Sequence, residues 1–150
     1  MAAFERELDS RIGSFIKRAE QALMAEKTRV LKDHGLTVAQ YSALMLLRYV
    51  PEVSAAQLSR AYLVTPQTMA AILANLEQKG VVTREPSALH QRVISTRLTE
   101  VGASVVGAAD EAAKDVERNL SAQFTPNERD QLKALLSRAI SALQIPAEPG

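Results

Sequence analysis

A mostly α protein with one small β-hairpin is the fold class that this 150-residue sequence predicts. Three observations carry that expectation. Apolar residues recur at helical spacing near both ends of the chain, from Phe4 to Val30 and from Leu98 to Leu143. Between those stretches, residues 54–62 and 65–79 read as two short capped helices separated by the interruption Tyr62-Leu63-Val64. After Gly80 the pattern changes to β-branched runs, residues 81–84 and 92–98, around a turn-rich loop. Two short helices, a tight connection and a hairpin are the plan of a winged helix-turn-helix, here flanked by long N- and C-terminal helices.

Each element has a local reason. Phe4, Leu8, Ile12, Phe15, Ala19, Leu23 and Val30 form the stripe of the first long helix, and His34-Gly35 breaks it. Thr37-x-x-Gln40 opens the next helix as a capping box, in which the Thr hydroxyl accepts an amide and the Gln reaches back. Tyr41, Leu44 and Leu47 follow on one face, and Pro51 ends the helix. Ser54-x-x-Gln57 is a second box, ahead of Ala55, Leu58 and Ala61 or Tyr62. Thr65-Pro66 starts the second short helix, since Thr is a good N-cap and Pro is tolerated where no amide partner is needed. Met69, Ile72, Leu73 and Leu76 face its core side, leaving Gln67, Thr68, Ala70, Ala71 and Asn75 outside. Gly80 stops it, behind a cation at Lys79.

The loop at residues 85–91 contains Pro86, which a central ladder excludes, so it is expected to form the tip of a wing. Leu98, Val101, Val105, Ala108 or Ala109, Ala112, Val116 and Leu120 make a further long stripe. Thr125-Pro126-Asn127-Glu128 opens the last helix, with Leu132, Leu135, Leu136, Ala139, Ile140 and Leu143 on its apolar face. The winged part cannot cover all of this surface, and helices of this kind are expected to pair with those of a second subunit.

With 47% hydrophobic residues the chain can bury one sizeable core, so residues 1–150 are expected to form one domain. The absence of Cys excludes disulfides and thiolate metal sites. The opening MAAFERELDSR has no apolar signal core and no run is long enough to span a bilayer, which predicts a cytoplasmic protein without membrane contact. His34 and His90 stand far apart, without ligand-spaced carboxylates, and no Gly-rich phosphate loop occurs. No catalytic residue, metal or cofactor is expected. Net charge is only +1, yet its distribution is uneven. Residues 54–98 carry five cations (Arg60, Lys79, Arg84, Arg92, Arg97) against Glu77 and Glu85, or +3, whereas residues 99–150 carry eight acids against five bases, or −3. One basic and one acidic region fit a phosphate-facing surface and a surface held away from phosphate.

The stretch LSRAYLVTPQTMAAILANLEQKGVVTR, followed by LTEVG, resembles the reader helix, first wing strand and Leu-Thr-x-x-Gly helix entry of the multiple-antibiotic-resistance regulator (MarR) family of bacterial transcription factors. The resemblance runs over most of the chain. It implies a homodimeric regulator that binds a near-palindromic operator and releases it when a small ligand binds. The DNA-binding part would span about residues 37–98, and the dimerisation helices about 4–33 and 99–144. Two departures stand out. The family's wing usually carries Asp-x-Arg where this chain has His90-Gln91-Arg92, and its reader helix often has a polar or basic residue at the position of Ala71.

A two-fold dimer would place half-sites about one helical turn apart, roughly 10 base pairs. Thr65, Gln67 and Thr68 are the candidates for base edges, because Gln can pair with adenine and Thr methyls can pack on thymine. Ser54, Gln57 and Lys79 are candidates for phosphate contacts. Arg84, His90, Gln91 and Arg92 are candidates at the wing, by phosphates or in the minor groove. Ser54 and Thr65 serve equally as caps alone, and Lys79 as a solvated end charge. The run of small residues at 102–109 suits either close helix packing or a space for a small aromatic or lipophilic effector of the kind the family binds. Phe15, Tyr41 and Arg48 would then supply an apolar wall and a cation for a carboxylate. Three functions stay open: a ligand-responsive sequence-specific repressor, a winged-helix module acting through protein partners, and a nonspecific architectural DNA binder. The last would need a larger positive excess than +1.

Overall fold

The computed structural model describes residues 1–88 and 92–144. In chain order the elements are α1 (Ala2–Asp9), α2 (Ile12–Lys32), α3 (Val38–Tyr49), β1 (Val53–Ser54), α4 (Ala55–Tyr62), α5 (Pro66–Gln78), β2 (Val82–Pro86), β3 (Ile94–Leu98), α6 (Glu100–Ser121) and α7 (Pro126–Gln144). The mostly helical expectation with a small hairpin holds. The chain divides into two compact units, with the boundary inside α6 between Ala113 and Lys114.

The first unit holds the core. Leu31, Leu44, Leu58, Leu73, Leu76 and Val106 are fully buried, with Met69 and Val82 beside them in the same cluster. Helical spacing assigns Leu44, Leu58, Met69, Leu73 and Leu76 to the inner faces, whereas Leu31 and Val106 lie one residue beyond the expected Val30 and Val105, which are only partly buried. The three strands form an antiparallel sheet in the order β1-β3-β2. β1 pairs Val53 with Thr96 and Ser54 with Ser95, while β2 pairs Val82 with Leu98 through to Pro86 with Ile94. Pro86 is tolerated because β2 is an edge strand. The hairpin differs from the sequence expectation at both strand ends. β2 reaches Pro86 rather than stopping at Arg84, and β3 begins at Ile94, so Arg92 and Val93 lie in the approach to it. The Ser87 amide donates to the Val93 carbonyl at 2.7 Å, one step beyond the last ladder pair.

The N-terminal stripe is not one helix. Arg11 adopts extended backbone (φ −103°, ψ 120°), which separates α1 from α2. Ser10 turns its hydroxyl back to the Glu7 carbonyl, and Arg18 bridges the break to Asp9 at 3.4 Å. Asp9 and Ser10 are residues whose side chains compete with helical hydrogen bonding. Phe4, Ile12 and Phe15 stay exposed.

Gly102 is required by close approach. A Cβ there would lie 1.9 Å from the Val81 carbonyl oxygen. Thr99 completes that junction: its hydroxyl donates to the Gly80 carbonyl, accepts the Gly102 amide, and its own amide donates to the Val81 carbonyl. The Leu-Thr-x-x-Gly sequence is thus the joint between the wing and α6.

The second unit contains the end of α6 and α7. Thr125 and Glu128 form the expected box, the Thr125 amide donating to Glu128 Oε2 at 2.8 Å and the Glu128 amide to Thr125 Oγ1 at 3.3 Å. No residue of α7 is buried, although Leu132, Leu135, Leu136, Ile140 and Leu143 give it an apolar stripe.

Candidate nucleic-acid interface

Two short helices build the site. α4 begins at a complete capping box: Gln57 donates its amide to Ser54 Oγ at 3.2 Å, and Gln57 Oε1 accepts the Ser54 amide at 2.8 Å. Both expected phosphate contacts on α4 are therefore also structural at its first turn. α4 ends at Leu63, whose backbone is left-handed (φ 52°, ψ 39°). The Val64 amide reaches back to the Ser59 carbonyl at 3.1 Å, which closes the turn in the manner usual for a glycine C-terminus.

α5 begins at Thr65, whose Oγ1 accepts the Thr68 amide at 3.1 Å and lies 2.9 Å from Thr68 Oγ1. One hydroxyl donates to the other, so the pair keeps one O–H for an outside acceptor whichever way the proton points. Pro66 has no amide, and Gln67 follows on the exposed first turn. This end of the helix carries the partial positive charge of the macrodipole. Beyond it the outer face is bare, since Ala70, Ala71 and Ala74 are exposed methyls.

α5 is fixed to α3 by polar links that sequence reading missed. Gln40, largely buried, completes the Thr37 box and also donates Nε2 to Asn75 Oδ1 at 2.7 Å. Lys79 Nζ donates to the Gly35 carbonyl at 2.7 Å and to Gln40 Oε1 at 3.4 Å. Lys79 is thus engaged at the far end of α5, about 20 Å along the axis from Thr65 at 1.5 Å per residue. The Tyr62 hydroxyl donates to the Ser42 carbonyl at 2.6 Å, and burial raises its pKa, which keeps the phenol a donor. The one signal for these links is the pairing of a capping-box Gln with polar residues late in α5.

On the wing, Val82, Arg84 and Pro86 share one face of β2 by alternation. Val82 and Thr96, the partner of Arg84, are buried, so the Arg84 stem runs along the covered side. Arg84 Nε and Thr96 Oγ1 are buried without a hydrogen-bond partner among the described residues. Arg97 is paired with Glu52. With Lys79 bonded to the Gly35 carbonyl and Gln40, Arg60, Arg84 and Arg92 are the cations of residues 54–98 with neither an ion pair nor a side-chain hydrogen bond among the described residues. Arg92 is exposed beside the wing loop. His90 and Gln91 lie outside the described residues.

The three residues expected to line an effector space do not converge. Tyr41 and Arg48 meet on Asp110 of α6, whose side chain accepts the Tyr41 hydroxyl at 2.9 Å and Arg48 Nη1 at 3.4 Å. Asp110 is only 4% exposed. It falls on the buried face of α6, four residues after Val106, where the sequence shows a carboxylate among small apolar residues but not its partners. Phe15 is 55% exposed and carries the Arg18 guanidinium over its ring at 5.7 Å. A separate open groove of about 530 Å³ runs along the small-residue face of α6, between Asp33 and His34 on one side and Val101, Ser104, Val105 and Ala108 on the other. None of Phe15, Tyr41 and Arg48 lines it. No cluster of metal-ligating side chains occurs, and no helix is long and apolar enough to cross a membrane, among the described residues.

A capped α4–turn–α5 pair, an antiparallel wing and an exposed polar start to α5 define a winged helix-turn-helix protein of the nucleic-acid-binding class. Comparison with known proteins narrows this. The MarR family model matches residues 34–93. An HTH-type transcriptional repressor of Mycobacterium tuberculosis is 28% identical over 130 residues, covering 87% of this chain and 94% of its own length. The homoprotocatechuate degradative operon repressor of Escherichia coli is 27% identical over 124 residues, covering 83% and 84%. Among solved structures, the transcriptional repressor CouR bound to a 23-mer DNA duplex superposes with a TM-score of 0.81 at 25% identity, covering 89% and 95%. A MarR variant from Escherichia coli, complexed with operator DNA, shares the fold with a TM-score of 0.77 at 23% identity over 85% and 92% of the two chains. The chain is thus similar to the MarR family over residues 34–93, and curated relatives that match most of its length are named as transcriptional repressors.

Proposed function

We propose that this chain is a homodimeric, sequence-specific transcriptional repressor that holds a near-palindromic operator and releases it when a small aromatic or lipophilic acid binds. The carrying observation is the first turn of α5. Thr65, Gln67 and Thr68 are exposed there on a helix that the Gln40–Asn75 bond ties to α3 and the Lys79–Gly35 bond ties to the turn before it. Preorganised polar groups at a helix start suit base edges in the major groove. Ser54 and Gln57 would stand by the phosphates, with Arg84, Arg92 and the His90-Gln91 pair at the wing. Lys79 is already engaged with Gly35, which makes it the weakest member of the set. The curated relatives named as repressors, and the DNA duplex bound by CouR, support the same reading.

The apolar stripes left exposed on α1, α2 and α7 support the dimer. For release, Arg48 is the candidate anchor, and an acidic effector would have to displace the Asp110 carboxylate from it. Such an acid would weaken operator binding by its differential affinity for the two arrangements. The proposal is tested by electrophoretic binding to duplexes selected from a random pool, at several salt concentrations. Sequence-selective binding with a steep salt slope supports it. Arg92→Ala should then cost roughly 1–3 kcal/mol, and unchanged affinity would remove Arg92 from the interface. Sequence-indifferent binding would turn the reading to an architectural protein. No binding would turn it to a module acting through protein partners, which the bare Ala70-Ala71-Ala74 face would suit.

A further inference from the structure

Leu63 stands out in the turn between α4 and α5. It is the only non-glycine residue with positive φ among the described residues. It is also 94% exposed, the highest value of any large apolar side chain among the described residues. A left-handed backbone brings Cβ against the carbonyl oxygen, a strain that glycine avoids. The backbone bonds that close the turn would form equally well around a glycine, and a side chain this exposed adds no packing of its own. Its neighbours allow no escape. Tyr62 is anchored through its hydroxyl to the Ser42 carbonyl, and Val64 packs against the core cluster and donates to the Ser59 carbonyl. The chain therefore holds a strained leucine rigidly outward, two residues ahead of the N-cap of α5. An outlier whose side chain gains nothing from the fold points to a use outside it.

We propose that Leu63 is a specificity-determining residue, packing its isobutyl group on a thymine 5-methyl in the major groove beside the bases that Thr65 and Gln67 face. The placement favours DNA over a protein partner, since the turn leads directly into the helix start that reads base edges. Apolar contact with the thymine methyl is one of the few discriminating signals the major groove offers to a side chain without polar atoms. The contact also accounts for leucine at a turn where glycine would be unstrained. This inference rests on the proposed operator binding.

The test uses the full chain and the tightest duplex selected from a random pool. Each thymine of one half-site is replaced in turn by deoxyuridine, which removes the methyl and leaves every hydrogen-bonding group. Leu63→Gly and Leu63→Asn both suit the left-handed backbone, so each should melt at or above the wild-type temperature. For wild type, one replacement should weaken binding by about fourfold, the worth of one buried methyl-sized group. Both variants should bind the thymine duplex at least that much more weakly than wild type and be indifferent to the same replacement. Opposite signs in melting temperature and affinity separate this role from a merely structural one. Variants that bind as tightly as wild type, or that keep its sensitivity to deoxyuridine, overturn the inference and leave the operator reading intact. Absence of any sequence-selective binding by wild type overturns both.

Discussion

Leu73, in the middle of α5, has no exposed surface, whereas Ile140, on the stripe of α7, is 54% exposed. Both occupy apolar positions at helical spacing, and a sequence pattern cannot tell them apart. The difference lies in what covers them. Leu73 belongs to one buried cluster with Leu44, Leu58, Met69 and Leu76, drawn from α3, α4 and α5 of the same chain. α7 has no buried residue at all. The winged unit therefore has its own core, while the terminal helices carry apolar surface that a single chain leaves in water. Contiguous apolar stripes of this kind mark association surfaces.

The sharpest way to break this contrast is to charge the uncovered side. In the proposed dimer, Ile140→Asp removes two apolar side chains from the interface, about 3–6 kcal/mol per dimer at 1.5–3 kcal/mol each. Light scattering across a concentration series should show wild type as a dimer and the variant as a folded monomer with unchanged helical content. A wild type that is monomeric throughout, or a variant that dimerises equally well, would remove α7 from the interface. The complementary change is Leu73→Ala, which leaves a cavity in the covered side and should cost about 2–5 kcal/mol. Urea unfolding should show that loss at every protein concentration, because the defect is internal to one chain. A loss below about 0.5 kcal/mol would mean that the winged core is loosely packed.

The same contrast explains what could be read from the residues alone. Capping boxes at 37/40, 54/57 and 125/128 were legible because each is a bond between residues three apart, and all three form. Gly80 was legible as a stop, and its φ is +70°. The break at Arg11 was not, since the apolar spacing from Leu8 to Ile12 runs straight across it. β1 has two residues, too few to show alternation, and exists because β3 offers it an edge. In the site, the polar starts of α4 and α5 were legible for the same local reason. Asp110 was not, because its meaning depends on Tyr41 and Arg48, more than sixty residues earlier in the chain. The left-handed Leu63 hid likewise, since a leucine carries no turn signal. Local bonds are written in the sequence, and long-range pairings are written only in the fold.

The smallest predicted effect separates the two regions by charge. The boxes at α3 and α4 use Gln40 and Gln57, neutral at every pH, whereas the box at α7 uses Glu128. The Thr125 amide, and then its hydroxyl, hold the Glu128 carboxyl below the usual glutamate range. A carboxyl whose pKa is lowered in the folded state stabilises that state fully above its ordinary value. The contribution is lost as the pH falls through the lowered one. Protonation also withdraws a negative charge from a helix N-terminus, where it is favourable. Acidification should therefore loosen the first turn of α7 before the starts of α3 and α4. Amide hydrogen exchange, followed residue by residue down the acid range and corrected for intrinsic rates, should show protection falling at the start of α7 alone. Glu128→Gln converts this box to the neutral kind and should abolish the pH dependence while keeping the cap. Parallel loosening at all three helix starts, or a Glu128 that titrates at its ordinary value, would show that the charged cap contributes nothing that the neutral ones lack.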